Sequence, residues 1–391
     1  MEKSNDNSSA SIRLDSSYLT EKYRKEWEER RRLSREQEIE EQKRIISELE
    51  KEKDRQTTEF INQYSPSRIE AELNEYIMDQ CDLTRAVSDF LYYQALRYKY
   101  PHIHSWPLLI CGPSGSGKTE VWRVAKKLYS EFFRIKIINA ANITSDGWSG
   151  SNKLANYLTR EASNSILVLD EANKMMNPRY SISNVNVSAD LQAEFLKVIE
   201  ENEYLVSSKI GNDYVIKNLG VVFIGAFERI RKDKTQPISQ SIGFESQKTE
   251  QPEYCGITET DLLEYGVIPE LLGRISVITN TKPIGVEQCL KIVRNSKSGL
   301  AEIAELLETY GINAWKDLPD KVIIEMIKNS DIEKFGVRTV LSKMETVMLQ
   351  GIRENGLTIL ANSVEHAVYS FSSAFSSCSL PINILMPSVL S

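Results

Sequence analysis

The sequence predicts an α/β fold, a doubly wound parallel sheet covered by helices, with a small helical lid domain after it and a long charged helix before it. Three observations carry this. Short apolar runs of strand length alternate with helix-periodic stretches between residues 108 and 224, the pattern of parallel strands joined by crossover helices. After Thr279 the strand-like runs stop and only helical periodicity remains. From Tyr18 to Phe60 there are 12 Lys/Arg and 13 Asp/Glu and neither Gly nor Pro, which fits one continuous solvated helix.

Within that first helix, Glu21 and Lys25, Glu26 and Arg30, Glu28 and Arg32, and Glu40 and Arg44 stand at i,i+4 spacing. Its apolar residues, Tyr23, Trp27, Leu33, Ile39, Ile45, Ile46 and Leu49, are too irregular for a strict heptad seam, so a coiled-coil partner and a single solvated helix both remain open. Ser65-Pro66 breaks the helix and caps a new apolar-periodic stretch, 69–100. Strands are expected at 108–111, 135–139, 166–170 and 221–224. Helices are expected from Lys118, over 151–162 and over 189–201, with a polar hairpin around Gly211-Asn212. A Ser/Gln/Thr-rich insertion follows at 235–251, long enough to be functional. Lys282-Pro283 forms a hinge into helices over 286–307, 320–328 and 336–352. The domain plan is therefore a charged helical arm at 1–64, a large α/β domain at 65–282, a helical lid at 283–356 and a tail at 357–391.

Composition narrows the function classes. A net charge of −7 over 391 residues argues against a general nucleic-acid binder and favours polypeptide partners. Five scattered cysteines without a C-x-x-C pair give no disulfide framework or zinc knuckle. The first residues lack a signal-peptide core, so a cytoplasmic protein is expected. The stretch 367–391 carries no charge, but its serines, Pro381 and Pro387 point to an uncharged tail rather than a membrane anchor. His102, His104 and His366 form no cluster at metal spacing.

The chemistry sits in two motifs. Gly112-Pro113-Ser114-Gly115-Ser116-Gly117-Lys118-Thr119 lies between a strand and a helix, the spacing and context of a phosphate-binding P-loop. Glycines let backbone N–H groups turn toward phosphate oxygens, and the helix N-terminus adds its positive end. Lys118 would reach the β and γ phosphates of ATP or GTP, and Thr119 would hold Mg2+ through its hydroxyl. About 50 residues on, the apolar run Ile166 to Leu169 delivers Asp170 and Glu171 to the strand end where doubly wound sheets bind ligands. Asp170 suits the magnesium side, and Glu171 suits a general base for the attacking water.

With these acids the chain resembles an AAA+ P-loop NTPase, and its downstream sequence resembles the ClpX unfoldase family from about Ser65 to Ile352. Glu75 to Gln80, containing Tyr76 and Ile77, is similar to the family's adenine-side box. In Tyr265-Gly266-Val267-Ile268-Pro269-Glu270-Leu271-Leu272-Gly273-Arg274, the resemblance makes Arg274 a finger on the neighbouring subunit's ATP and implies a homo-oligomeric ring, a hexamer. Gly336-Val337-Arg338 is similar to the lid motif whose arginine couples nucleotide state to domain angle. Gly147-Trp148-Ser149-Gly150 is similar to a pore loop, which makes Trp148 a paddle against polypeptide substrates. Ile242-Gly243-Phe244 is identical to the tripeptide with which such unfoldases dock on ClpP-type peptidases.

The chain also departs from that pattern. Val221 to Phe227 offers no polar sensor-1 side chain, 181–189 lacks the second pore loop's arginine, and 207–217 has no basic engaging loop. The charged helix stands where the family carries a four-cysteine zinc domain, with no cysteine before Cys81. The expected function is ATP-dependent unfolding and threading, with delivery to a ClpP-type peptidase. A non-proteolytic remodeller and a weakly hydrolysing scaffold stay open as alternatives.

Overall fold

Helix α1 occupies Ser16–Gln63 in the computed structural model. The structure describes residues 16–100, 102–145, 148, 152–159, 162–200, 203–206, 214–230, 256–297, 300–301, 305, 308, 319–332 and 336–355. The chain divides into two compact units, Met1–Gln56 and Thr57–Ser391. In the first unit, Arg24–Glu28, Arg32–Glu36 and Arg44–Glu48 pair along the helix, and Tyr23, Trp27, Leu33, Ile45 and Leu49 are exposed.

The division falls inside the helix, earlier than the 1–64 arm read from charge. From Thr57 the side chains turn apolar on one face. Phe60 is buried, stacked on Tyr64 at 4.9 Å and edge-on to Tyr129 and Phe133 at 5.9 and 4.8 Å. The last turns of α1 are therefore core, for the ordinary reason that an aromatic ring gains more by burial than by solvation.

In the second unit, α2 (Pro66–Asn74) is capped by the Ser65 hydroxyl, which accepts from Arg68 N, and α3 (Cys81–Lys99) follows. The sheet has five parallel strands in the order β2-β3-β6-β1-β7. These are β1 (Leu108–Cys111), β2 (Arg134–Asn139), β3 (Ser165–Asp170), β6 (Gly220–Gly225) and β7 (Val277–Asn280). Side chains alternate between two cores. Leu108, Ile110, Ile166, Val168, Val222 and Ile224 face one, with α3 and α4 (Glu120–Leu128); Leu109, Cys111, Leu167, Leu169, Val221 and Phe223 face the other. Period-2 burial on both faces is why these strands read as continuous apolar runs.

Between β3 and β6 come α5 (Ala172–Met176), α6 (Val187–Glu200) and the hairpin β4 (Glu203–Val206) and β5 (Tyr214–Lys217). The helix expected over 151–162 does not form; its described residues hold a short 3-10 turn, Leu154–Asn156, and a bridge from Thr144 to Lys153. Asn152, Asn156, Tyr157 and Thr159 are weak helix formers, and bonding to Thr144 prevails over helix propensity there.

After α7 (Glu259–Tyr265) and α8 (Pro269–Leu272) the sheet closes with β7. The helices α9 (Val286–Arg294), α10 (Asp320–Lys328) and α11 (Val337–Asn355) share a separate cluster built on Cys289, Val293, Ile323, Ile327, Val340 and Met344. The single helix expected over 286–307 breaks at Asn295, whose side chain accepts from Lys297 N in a local turn, an alternative that asparagine offers the backbone. Among the described residues, no helix is long and apolar enough to cross a membrane, and no group of His, Cys, Asp and Glu has metal-holding geometry.

Candidate active site

β1 is wholly buried and leads into Gly112, whose φ of +147° belongs to glycine and whose position leaves no room for a side chain. A Cβ there would lie 2.0 Å from Thr281 Oγ1. The loop beyond it is tied down from inside. Ser116 Oγ donates to Pro113 O at 2.8 Å and shares a 2.6 Å hydrogen bond with the Thr281 hydroxyl. Lys118 is buried, and its ammonium donates to the carbonyls of Gly112, at 2.8 Å, and Pro113. Thr281 N donates to Cys111 O at 2.8 Å, fixing that residue beside the loop. Nothing in the sequence singled out Thr281, which reaches the loop from 165 positions beyond Ser116.

β3 places the acids next to this loop. Thr119 Oγ1 donates to Asp170 Oδ2 at 2.9 Å, and Asp170 Oδ1 accepts from Glu171 N at 2.9 Å. Glu171 adopts a left-handed φ of +57°, a conformation uncommon for a non-glycine residue and frequent at functional turns. Its Oε2 accepts from Lys174 Nζ at 2.8 Å and from Asn139 Nδ2 at 3.1 Å. The Lys174 ammonium is the main cause that holds the Glu171 carboxyl below its ordinary value. Burial opposes that shift, while the Asn139 bond and the positive charges of Lys174 and Arg338 add to it. Asn139 had one signal in hindsight: it ends β2 in register with Asp170 on β3. At the end of β6 the chain presents Ala226 and the buried Phe227, which packs on Tyr265 at 5.1 Å, so no polar side chain arises there, as the sequence indicated.

Two further segments close on the loop. Ile77 is buried, and its Cγ2 lies 3.8 Å from where a Gly117 Cβ would stand. Tyr76 lies beneath the Lys297 ammonium, 5.0 Å from its ring centre, and Lys297 pairs with Glu75. Asn295 Nδ2 donates to Glu75 O at 2.8 Å, Lys291 pairs with Asp79 at 3.1 Å, and the Gln80 side chain bonds both Lys282 N and Lys282 O at 2.9 Å. From the C-terminal side, Gly336 (φ +69°) sits so close that a Cβ would come within 2.4 Å of Gly115 Cα. Two residues on, Arg338 is near enough to Glu171 to favour its ionised form.

Thus Ile77, the loop from Gly112 to Thr119, Asp170, Glu171 and Arg338 come together, while Tyr76, one residue before Ile77, lies under Lys297. Arg274 and Trp148 are engaged elsewhere. Arg274 follows α8, and its Nε and Nη2 both meet Glu200 Oε1, at 2.8 and 2.7 Å. The Trp148 indole N–H donates to Asp190 Oδ2 at 3.1 Å, and its carbonyl accepts from Lys153 Nζ. Ile242, Gly243 and Phe244 lie outside the described residues.

The side chains present fit ATP with Mg2+. The loop from Gly112 to Thr119 runs from the end of β1 to the start of α4, where backbone N–H groups suit an anion, and a hydroxyl beside a carboxylate is the hard oxygen set that magnesium takes. Residues 108–239 match the model of the ATPase family associated with various cellular activities (AAA). Over 309 residues the chain is 26% identical to the ATP-dependent Clp protease ATP-binding subunit ClpX 2 of Wolinella succinogenes, covering 73% of this chain and 76% of that one. It is 26% identical over 322 residues to the ClpX subunit of Bacteroides thetaiotaomicron, covering 73% and 75% of the two chains. Against the ClpX subunit of Treponema denticola the identity is 27% over 327 residues, covering 74% and 77%. A buried phosphate loop bonded to a paired acid, on a five-stranded parallel sheet, thus stands in the segment 108–239 that matches the AAA family model, and the chain is similar to ClpX subunits over 73% of its length.

Proposed function

We propose that this ClpX-type AAA+ ATPase chaperone acts in the cytoplasm as a homo-hexameric ring that hydrolyses ATP to unfold polypeptides, threads them through its pore and delivers them to a ClpP-type peptidase. The observation that carries the reading is the Thr119–Asp170 bond with the Glu171 carboxylate one residue on, oriented by Asn139 and Lys174. Such a carboxylate can take a proton from water at neutral pH.

In this reading the backbone from Gly112 to Gly117, including Pro113, Ser114, Gly115 and Ser116, wraps the phosphates, and Lys118 neutralises them. Tyr76 and Ile77 border the adenine. Thr119 and Asp170 hold Mg2+, which supplies charge neutralisation on the phosphate oxygens. Glu171 orients and deprotonates the attacking water. Arg338 contributes positive charge from the lid, and Arg274, on giving up Glu200, reaches the ATP of the next subunit and stabilises transition-state charge there. Trp148 presses on the substrate by contact, which suits a motor acting on varied sequences. Ile242, Gly243 and Phe244 dock on the peptidase. The relatives are named as ATP-binding subunits of an ATP-dependent protease, and that partnership is extended here to this chain.

The test is degradation of an unfolded model protein by the chain together with a ClpP peptidase. Wild type should degrade it with ATP, Glu171→Gln should not, and the Ile242/Phe244 double alanine should keep ATPase activity while losing degradation. Equal degradation by wild type and the double alanine would sink the docking role. ATP turnover with no degradation by any form favours remodelling without a peptidase.

A further inference from the structure

Helix α6 carries three polar side chains that reach three different parts of the machinery. Near its start, Asp190 accepts the Trp148 indole N–H at 3.1 Å. Gln192, fully buried, donates to Gly266 O at 3.2 Å and to Met176 O at 3.5 Å, and accepts from Ile268 N at 2.9 Å. It thereby joins the end of α5, the helix that begins one residue after Glu171, to the segment leading into Arg274. At the last position of α6, Glu200 takes both contacts from the Arg274 guanidinium.

The two ends of α6 differ electrostatically. Asp190 lies in the first turn, where the helix dipole favours an acid, whereas Glu200 lies at the C-terminus, where the dipole opposes one. Arg274 offsets that repulsion. The pair is more than a third exposed on each side, so exchanging it for a phosphate contact costs little. Once Arg274 leaves, the Glu200 carboxylate loses its guanidinium partner, and Lys197 is the basic residue that remains in the last turn of α6. Ten residues of α-helix separate Glu200 from Asp190, about 15 Å of stiff rod, anchored near its Asp190 end by Gln192.

We propose that α6 is a coupling rod, with Glu200 and Asp190 as positioning residues that tie the engagement of Arg274 to the stance of Trp148. The inference rests on the roles given above to Arg274 and Trp148, and adds a path between them within one subunit.

A double-mutant cycle tests it, with ATP turnover measured for the full chain in the absence and presence of an unfolded, carboxymethylated model protein. Asp190→Ala should lower the stimulation by unfolded protein about threefold or more while changing the basal rate less than about twofold. Asp190→Asn, which keeps an acceptor oxygen, should retain the stimulation. Glu200→Gln should lower it as well, and the double variant should lose no more than the worse single one. Losses that multiply in the double variant, or an Asp190→Ala protein stimulated like wild type, overturn the coupling. Stimulation that survives Trp148→Ala removes the paddle role and the coupling together. Stimulation abolished by Trp148→Ala alongside multiplying losses removes the coupling alone.

Discussion

The phosphate loop and the loop that carries Trp148 both follow parallel strands of the same sheet, yet they are held by different means. Around Lys118 the holding groups are buried: the Gly112 carbonyl, the Ser116–Thr281 hydroxyl pair and a glycine turn closed to any side chain. Around Trp148 they lie nearer the surface, with Asp190 exposed and Lys153 half-buried. A buried hydrogen bond is strong because its loss leaves a desolvated group, whereas an exposed one exchanges with water. Binding a polyphosphate needs backbone dipoles fixed in advance. Pressing on a moving chain needs a contact that can let go.

Breaking the buried side should have the largest effect. Lys118→Ala should abolish nucleotide binding and lower ATP turnover at least about a thousandfold, read by fluorescent-nucleotide titration and phosphate release. Glu171→Gln should match that loss of turnover while still binding ATP. Gly336→Val comes next. Its side chain would collide with Gly115 at a positive φ, so turnover should fall about tenfold to a hundredfold, reflecting about 1–3 kcal/mol of strain; wild-type turnover from a folded variant would break the closeness argument. Thr281→Val removes one hydroxyl from the inside of the loop and should lower unfolding free energy by about 1–2 kcal/mol in a denaturant titration.

Lys174→Met sharpens the comparison at the acid. Glu171 sits below its ordinary value chiefly through Lys174, so the variant's carboxyl titrates at higher pH. The acid limb of the kcat/KM profile should then move up, with the rate near pH 8 little changed. A limb that stays in place would show that Glu171 is not the titrating base. On the exposed side, Lys153→Met frees the carbonyls of Ser145 and Trp148. Basal turnover should change by less than about twofold, and only stimulation by unfolded protein should drop.

Legibility in the sequence follows the distance over which each feature is assembled. The phosphate loop and Asp170-Glu171 are local motifs at the ends of buried strands, and the apolar runs along 108–111 and 166–169 located both strands. The helix predicted at 151–162 failed because spacing saw an apolar face and weighed too little the asparagines that prefer local bonds. Thr281 and Asn139 escaped notice since each acts on a residue its own neighbours do not reveal: Thr281 joins through the register of β7 with β1, Asn139 through that of β2 with β3. Gln192 reads as one of several polar positions along α6 and gains its meaning only from three backbone partners far apart in the chain.

The approach of Gly336 to Gly115 has a mechanical meaning. Separate apolar clusters usually meet through side chains, whose rotamers absorb small displacements as a soft spring would. Here backbone meets backbone, and no rotamer lies between them. A displacement of the phosphate loop of a few tenths of an ångström therefore has little compliance in which to dissipate and passes into the start of α11. The joint transmits rather than damps, which is the property a motor needs where chemistry becomes movement.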